Sequence, residues 1–520
     1  MQVTAEYYQD VMTDPEPVQL EQAPDLALQR PRWLPFAFIF PMLMAGISWI
    51  TGGMSLATDC AFVLLTVLCA GALLIELINF PQKLGLGGCL LFGGILVWFC
   101  FDYLSNWLGH DFNGVGTSFG PQTIAKSAFF HCMFIFSAVC GLMIQRGRFM
   151  VKLLQAVPEP SSEKFYFVIM VILALIGISP FLLFTNKGFF DAVFTVMTAG
   201  RSDASLIWTV GRTGNLNYSW GAYVAQILQV GGISAQFSVF YALLIARSPI
   251  LKAIAWGNWL FWLALGFGSG SRGELLFLAL PAIFLIFMKY QAIAGHSGRR
   301  FSVRAYLPSL LLLLAVLAIA QVQLIYRNSG FADVDLRAAE GDLVKIQGNT
   351  MFSEGLDGFE LIPDQRPFFY GDFPGEGLVR AMPQTAFWFL VGPIPRALWT
   401  EKPIDPAWAW RAGGKGVADD MQGTTVSSGL VGYWYFRYGW MGVVQGGLLF
   451  GWLLVIGERA IQTSEGRPMR LLIALGFCIW LFRSFRDFNF VDLYPVLMGA
   501  VLLFGFIRLQ RLLFSPENSG

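Results

Sequence analysis

Apolar residues in this chain gather into runs of roughly 18 to 26, each long enough to cross a hydrocarbon core of about 30 Å as a helix. No other feature constrains the fold so tightly, because few architectures can accept this much continuous apolar sequence. Twelve runs can be marked, at 33–51, 57–79, 86–104, 124–145, 165–184, 221–246, 252–268, 274–290, 305–326, 435–457, 470–486 and 491–508. The expected fold is an all-α polytopic membrane protein with about twelve transmembrane helices, roughly 11 to 14. Composition agrees: the chain is 55% hydrophobic and only 13% charged, with a mean hydropathy of +0.58. A soluble domain carries about 25% charged residues.

A formal net charge of +1 gives no sign of a nucleic-acid partner. Residues 1–32 lack the basic start and early apolar stretch of a signal peptide. Glu6, Asp10, Asp14, Glu16, Glu21 and Asp25 come first, and Arg30 and Arg32 then abut the first apolar run. This segment reads as a polar cytoplasmic tail. The seven cysteines all fall inside apolar runs, so no disulfide framework is expected, and no cysteine–histidine spacing suggests zinc.

Short-loop lysines and arginines set the orientation. Lys83, Arg146, Arg148, Lys152, Arg247, Lys252, Arg299, Arg300, Arg304, Arg459, Arg467, Arg470, Arg508 and Arg511 share one side of a twelve-span arrangement. That side is expected to be the cytoplasm and to hold both termini. The chain then divides into the tail 1–32, a first membrane part at 33–326 of about nine spans, an external loop at 327–434, the last three spans at 435–508, and a tail at 509–520. The external face also carries 105–123 and 185–220. A loop as long as 327–434 is usually functional. Within it Thr385–Pro395 is apolar but too short to span, and fits a re-entrant or interfacial segment. In the tenth span, Gly442, Gly446, Gly447 and Gly451 form overlapping pairs of small residues that favour close helix packing.

Twelve arginines break the cytoplasmic bias. Arg201, Arg212, Arg272, Arg327, Arg337, Arg366, Arg380, Arg396, Arg411, Arg437, Arg483 and Arg486 map to the external face or its membrane edge. A guanidinium remains charged and offers a planar fork of donors that matches phosphate oxygens. Pairing with loop carboxylates is the ordinary explanation for any one of them. As a set, placed at span ends beside lipid headgroups, they point to an anionic, lipid-embedded ligand.

Other motifs carry less. "GSGSRG" (Gly268–Gly273) follows a membrane helix rather than a strand, which removes the dinucleotide reading. Asp333 and Asp335 have the spacing of a metal-binding pair that polar loops also produce by chance. His110, His131 and His296 form no cluster, and no metal ligand is expected. Glu76 and Asp102 lie within or at the edge of early spans, where buried pairing and a proton pathway are the two readings.

Several segments resemble a family. "GPIPRALWTEKP" (Gly392–Pro403) is similar to the Pro-Arg, Trp, Lys-Pro segment of Wzy-type O-antigen and exopolysaccharide polymerases. "SSGLVGYWYFRYGWMGVVQGGLLFG" (Ser427–Gly451) resembles their Gly-rich, Tyr-containing approach to the next span, although Arg437 stands where a small polar residue is expected. "GSGSRGELL" resembles their Gly-Ser-Arg turn, and Arg366 precedes Gly377 at the Arg-x10-Gly spacing of some members' external loops.

The resemblance implies a metal-independent, GT-C-like membrane glycosyltransferase of the bacterial inner membrane, without cofactor. Its donor and acceptor would be polyprenyl-diphosphate-linked oligosaccharides, joined on the periplasmic face. On this reading Arg272, Arg396 and Arg486 hold the diphosphate, with Arg201, Arg366, Arg437 and Arg483 around them. Asp372 or Glu376 serves as the base, and Tyr370, Trp388 and Trp399 stack on sugars. An O-antigen ligase and a transporter of lipid-linked oligosaccharide remain alternatives, and docking of a chain-length regulator is left open.

Overall fold

The computed structural model describes residues 30–83, 86–109, 119–144, 149–155, 157, 159–160, 162–185, 187–198, 221–268, 272–296, 303–326, 394, 399, 429–464, 467–485 and 494–514. Among these the regular structure is helical, with no strand. Helices α1 (Leu34–Ala37) and α2 (Ile39–Ile50) lead to α3 (Ser55–Lys83). Helix α4 (Leu86–Ile95) runs through a π-helical turn at Leu96–Cys100 into α5 (Phe101–Gly109). Then follow α6 (Pro121–Leu142), the short α7 (Phe149–Gln155), α8 (Glu163–Leu183) and α9 (Phe189–Thr198). Helix α10 (Gly221–Phe240) ends in a second π turn, Tyr241–Ile245, before α11 (Pro249–Gly268), α12 (Arg272–His296) and α13 (Val303–Tyr326). The chain closes with α14 (Gly429–Gln462), α15 (Pro468–Arg483) and α16 (Tyr494–Phe514).

A helix therefore occurs at each of the twelve apolar runs. Among the described residues, seven stretches are long and apolar enough to cross a membrane: Ser55–Leu77, Leu86–Leu108, Pro121–Leu142, Glu163–Leu183, Ile227–Ile245, Pro249–Gly268 and Tyr438–Gln462. They are not equivalent. The Pro121–Leu142 window is 78% buried and that of Pro249–Gly268 only 28%, so α6 lies centrally and α11 at the periphery. Exposed Val63, Val67, Leu260, Leu310 and Leu314 give α3, α11 and α13 outward faces that suit lipid chains.

Buried side chains form two large clusters. One joins α2 to α6 with α14, through Phe62, Phe92, Phe134 and Phe450. The other joins α8 to α12 with α15 and α16, through Leu173, Phe237, Trp262 and Leu475. Helices α14 and α15 belong to both, since Leu454 and Trp480 sit in the first cluster and Ala460 and Leu475 in the second. They hold the molecule's halves together.

The α6–α14 seam depends on small residues. A Cβ on Gly447 would overlap the Phe134 carbonyl, and one on Gly451 the Ala138 carbonyl. The expected close packing is thus present for these two glycines. Gly442 and Gly446 do something else: within the same element, the missing Cβ of Gly442 makes room for Tyr438 and the Trp434 carbonyl, and that of Gly446 for the Trp434 ring. This follows from a break at Gly439, whose φ of 66° and ψ of −157° lie in a region essentially reserved for glycine. Helix α14 is consequently discontinuous, where hydropathy alone presents one apolar run.

Two of the prolines inside helices remove main-chain donors that side chains replace. Pro180 leaves the Ile176 carbonyl without its helical partner, and Ser179 Oγ donates to it at 2.7 Å. Pro281 does the same to Phe277, whose carbonyl instead accepts Gln236 Nε2 from α10 at 3.2 Å.

Candidate functional site

Long-range contacts sort the helix ends into two groups, named here by Arg483 and Arg30. At the Arg483 end, the Gly52–Gly53 turn between α2 and α3 abuts Pro121 at the start of α6. The last turn of α9 lies against Gly268 at the end of α11, where a Cβ would overlap Val196. The Leu430 amide donates to the Phe485 carbonyl at 3.3 Å, joining the start of α14 to the end of α15. At this end, therefore, chain segments widely separated in sequence converge.

Arg483 closes α15 half-buried, its guanidinium carbon 5.8 Å from the centre of the Phe277 ring. Phe277 is one and a half turns into α12, so Arg272 opens that helix about 7.5 Å further along its axis. Phe277 is held by the Gln236 bond, and its neighbour Leu278 accepts Trp259 Nε1 at 3.0 Å. The preceding turn is held as well, because Gln323 Nε2 donates to the Phe267 carbonyl at 2.6 Å and the Gly266 carbonyl at 3.3 Å. Glu274 is exposed in the first turn of α12. Beyond Phe485, whose ring packs on Phe99 and Phe450, comes Arg486, outside the described residues.

A second cation lies at the same end. Lys126, buried in the second turn of α6, places Nζ 5.4 Å from the ring centre of Tyr435, and Phe130 flanks the same ring at 4.6 Å. Tyr435 belongs to the segment of α14 before the Gly439 break. Nearby polar groups on α5 are ordered too. Asp102 is buried and accepts Asn106 Nδ2 at 3.1 Å, and Tyr103 donates to Asp59 at 2.6 Å while stacking on Phe62. His131 is buried, its Nδ1 2.8 Å from the Ser127 carbonyl, which fits a packing role.

Of the site residues expected from sequence, Arg483 is placed in full. Arg272 and Arg437 are placed by backbone, in α12 and α14, and Trp399 is half-buried. Arg201, Arg366, Tyr370, Asp372, Glu376, Trp388, Arg396 and Arg486 lie outside the described residues, as do most of the external loop and its short apolar segment. Sequence reading missed Lys126, whose signal was a lysine just inside an apolar run.

The opposite end holds a buried ion cluster. Arg30 Nε donates to Glu76 Oε1 at 2.7 Å and Nη2 to Glu458 Oε2 at 2.8 Å, and the Gly87 amide also donates to Glu458 Oε2 at 2.9 Å. The cluster fastens the residues preceding α1 to α3, α4 and α14. Burial by itself would lower the proton affinity of Arg30, but Glu458 and Glu76 outweigh it and hold the guanidinium above its ordinary pKa. Glu159 completes this end: it accepts the Met469 amide at 2.9 Å and the Tyr166 hydroxyl at 2.9 Å, capping the start of α15. Glu458 went unnoticed in the sequence because it adjoins Arg459, and a charged pair at a span end looks like ordinary surface.

The chain matches no family model, no curated protein and no solved structure.

Proposed function

We propose that the protein is a polysaccharide polymerase of the bacterial inner membrane, with about twelve spans, cytoplasmic termini and chemistry on the periplasmic face. It joins polyprenyl-diphosphate-linked oligosaccharide repeats. The observation that carries this reading is the gathering of cations at one end: Arg483 beside Phe277, Arg272 at the start of the same helix, and Lys126 over Tyr435. A diphosphate leaving a sugar needs such donors fixed before the reaction, and fixed donors stabilise developing charge most. The acceptor hydroxyl attacks the anomeric carbon, the bond to the diphosphate breaks, and Asp372 or Glu376 takes the hydroxyl proton. Arg272, Arg396 and Arg486 hold the departing diphosphate, with Arg201, Arg366, Arg437 and Arg483 around it. Tyr370, Trp388 and Trp399 supply stacking faces for sugars.

Reconstitution with lipid-linked repeats as the only glycan tests this, because a polymerase needs no further acceptor and a ligase does. Arg272→Ala and Arg396→Ala should accumulate single repeats at normal membrane levels, with a rate loss of about 10²–10³. Arg→Lys should also be impaired, since a point charge lacks the bidentate fork. Normal long polymer from both alanine variants removes the assignment.

One observation favours a second reading. Transporters bind substrate at discontinuous helices, and α14 is broken at Gly439. Movement of intact lipid-linked repeats across the bilayer without elongation, in the same vesicles, would identify a transporter.

A further inference from the structure

The Arg30 cluster holds more acid than base. Both carboxylates and the guanidinium between them are 5% exposed. With every group ionised, the site would carry one unbalanced negative charge away from solvent, which is costly unless neutralised. The donors are unevenly shared. Glu458 Oε2 receives both Arg30 Nη2 and the Gly87 amide. Glu76 receives Arg30 Nε alone, on Oε1, and its Oε2 is buried with no hydrogen-bond partner.

Among the described residues nothing else nearby balances the charge. Arg459 adjoins Glu458 rather than Glu76, and the remaining ionisable groups acting on the pair are the thiols of Cys89 and Cys478. On the glycine side little room remains for a metal ion. Gly88 packs directly on the Glu76 carboxyl, and a Cβ on Gly87 would lie 2.9 Å from Glu458 Oε2 and 3.0 Å from the Leu454 carbonyl. Among the described residues no group of three metal-ligating side chains occurs. A proton requires no such volume.

We propose that the cluster is a one-proton binding site, with the proton on Glu76 and the ion pair between Arg30 and Glu458. A neutral carboxyl with one unpaired oxygen is far cheaper in a dry site than a second bare carboxylate, and two carboxylates sharing a site do not both ionise readily. The proton is then a condition of closure. Withdrawing it sets Glu76 against Glu458 across a single guanidinium and loosens the clasp between the residues before α1 and the end of α14. This inference does not depend on the glycosyl-transfer reading.

Infrared spectroscopy of the purified full-length protein at neutral pH is the test. The wild-type minus Glu76→Gln difference spectrum should show loss of a protonated-carboxyl C=O band, with the melting temperature of the variant near that of wild type. Loss of ionised-carboxylate bands instead overturns the proposal, and so does a Glu76→Gln chain that cannot fold, because glutamine mimics the neutral acid. Glu458→Gln gives an independent reading. Arg30 then draws the proton off Glu76, so the protonated band should again vanish, the carboxylate bands should change little, and the melting temperature should fall. A protonated band that survives in Glu458→Gln also overturns it.

Discussion

Gln236 and Pro281 show how much a single residue does here. Pro281 cannot return an N–H to the Phe277 carbonyl, and Gln236, on another helix, supplies the donor. The bond fixes the helix turn that carries the Phe277 ring beneath Arg483. Gln236→Leu should therefore destabilise the protein by about 1 kcal/mol, between the ~0.6 typical of polar pairs in membranes and the 1–3 for an orphaned buried carbonyl. Pro281→Ala restores the main-chain donor, so in that background Gln236→Leu should cost much less. A double-mutant cycle on unfolding in detergent measures this, and simple additivity would contradict it. The sequence displays the proline but not its rescuer, because 41 positions separate Gln236 from Phe277. Arg30, Glu76 and Glu458 pose the same problem more strongly. Glu76 stood out as a charge within a span and Arg30 read as part of a polar tail, but the Arg30–Glu458 pairing spans 428 positions, and no local pattern encodes it. Arg483 was legible as a cation at the end of a span, since that inference needs only the position of a charge relative to a run.

Among whole elements, each of the twelve apolar runs anticipated a helix because chain length and hydropathy decide them, while the shorter α7 and α9 fell outside every run. The break in α14 was not legible, since it falls inside one continuous hydrophobic run and one glycine's backbone angles create it. Nor did the run of small residues reveal which faces they serve. Gly447 and Gly451 admit α6, while Gly442 and Gly446 admit Tyr438 and Trp434. These differences predict opposite outcomes for the same kind of change. At Gly451 even an added methyl meets the Ala138 carbonyl, so Gly451→Ala should force α6 and α14 apart and lower the melting temperature, and Gly451→Leu should prevent folding. Gly257 in α11 has nothing within 4 Å of an added Cβ. Gly257→Ala should be neutral or stabilising by about 0.4–1 kcal/mol through the unfolded chain. Equal melting temperatures for Gly451→Ala and Gly257→Ala would contradict the seam.

For the molecule as a whole, the two ends differ in chemistry, and the function depends on which side each one faces. The Arg30 end lies among the short-loop lysines and arginines, with Glu159 and Glu458 tied into main-chain amides. The Arg483 end holds cations set beside aromatic rings. Short-loop basic residues stay in the cytoplasm, so the Arg483 end should face outward, the side on which the proposed joining of lipid-linked repeats would take place. Two exposed positions report on the two ends: Thr51, in the turn between α2 and α3, and Lys252, in the first turn of α11. In a chain whose seven cysteines are replaced, Thr51→Cys should react with a membrane-impermeant maleimide on intact cells. Lys252→Cys should react only after permeabilisation. The reverse pattern would place the gathered arginines in the cytoplasm, away from any periplasmic diphosphate, and would end the polymerase reading whatever the arginine variants do. Equal labelling of both would mean that the two ends do not lie on opposite sides of a bilayer.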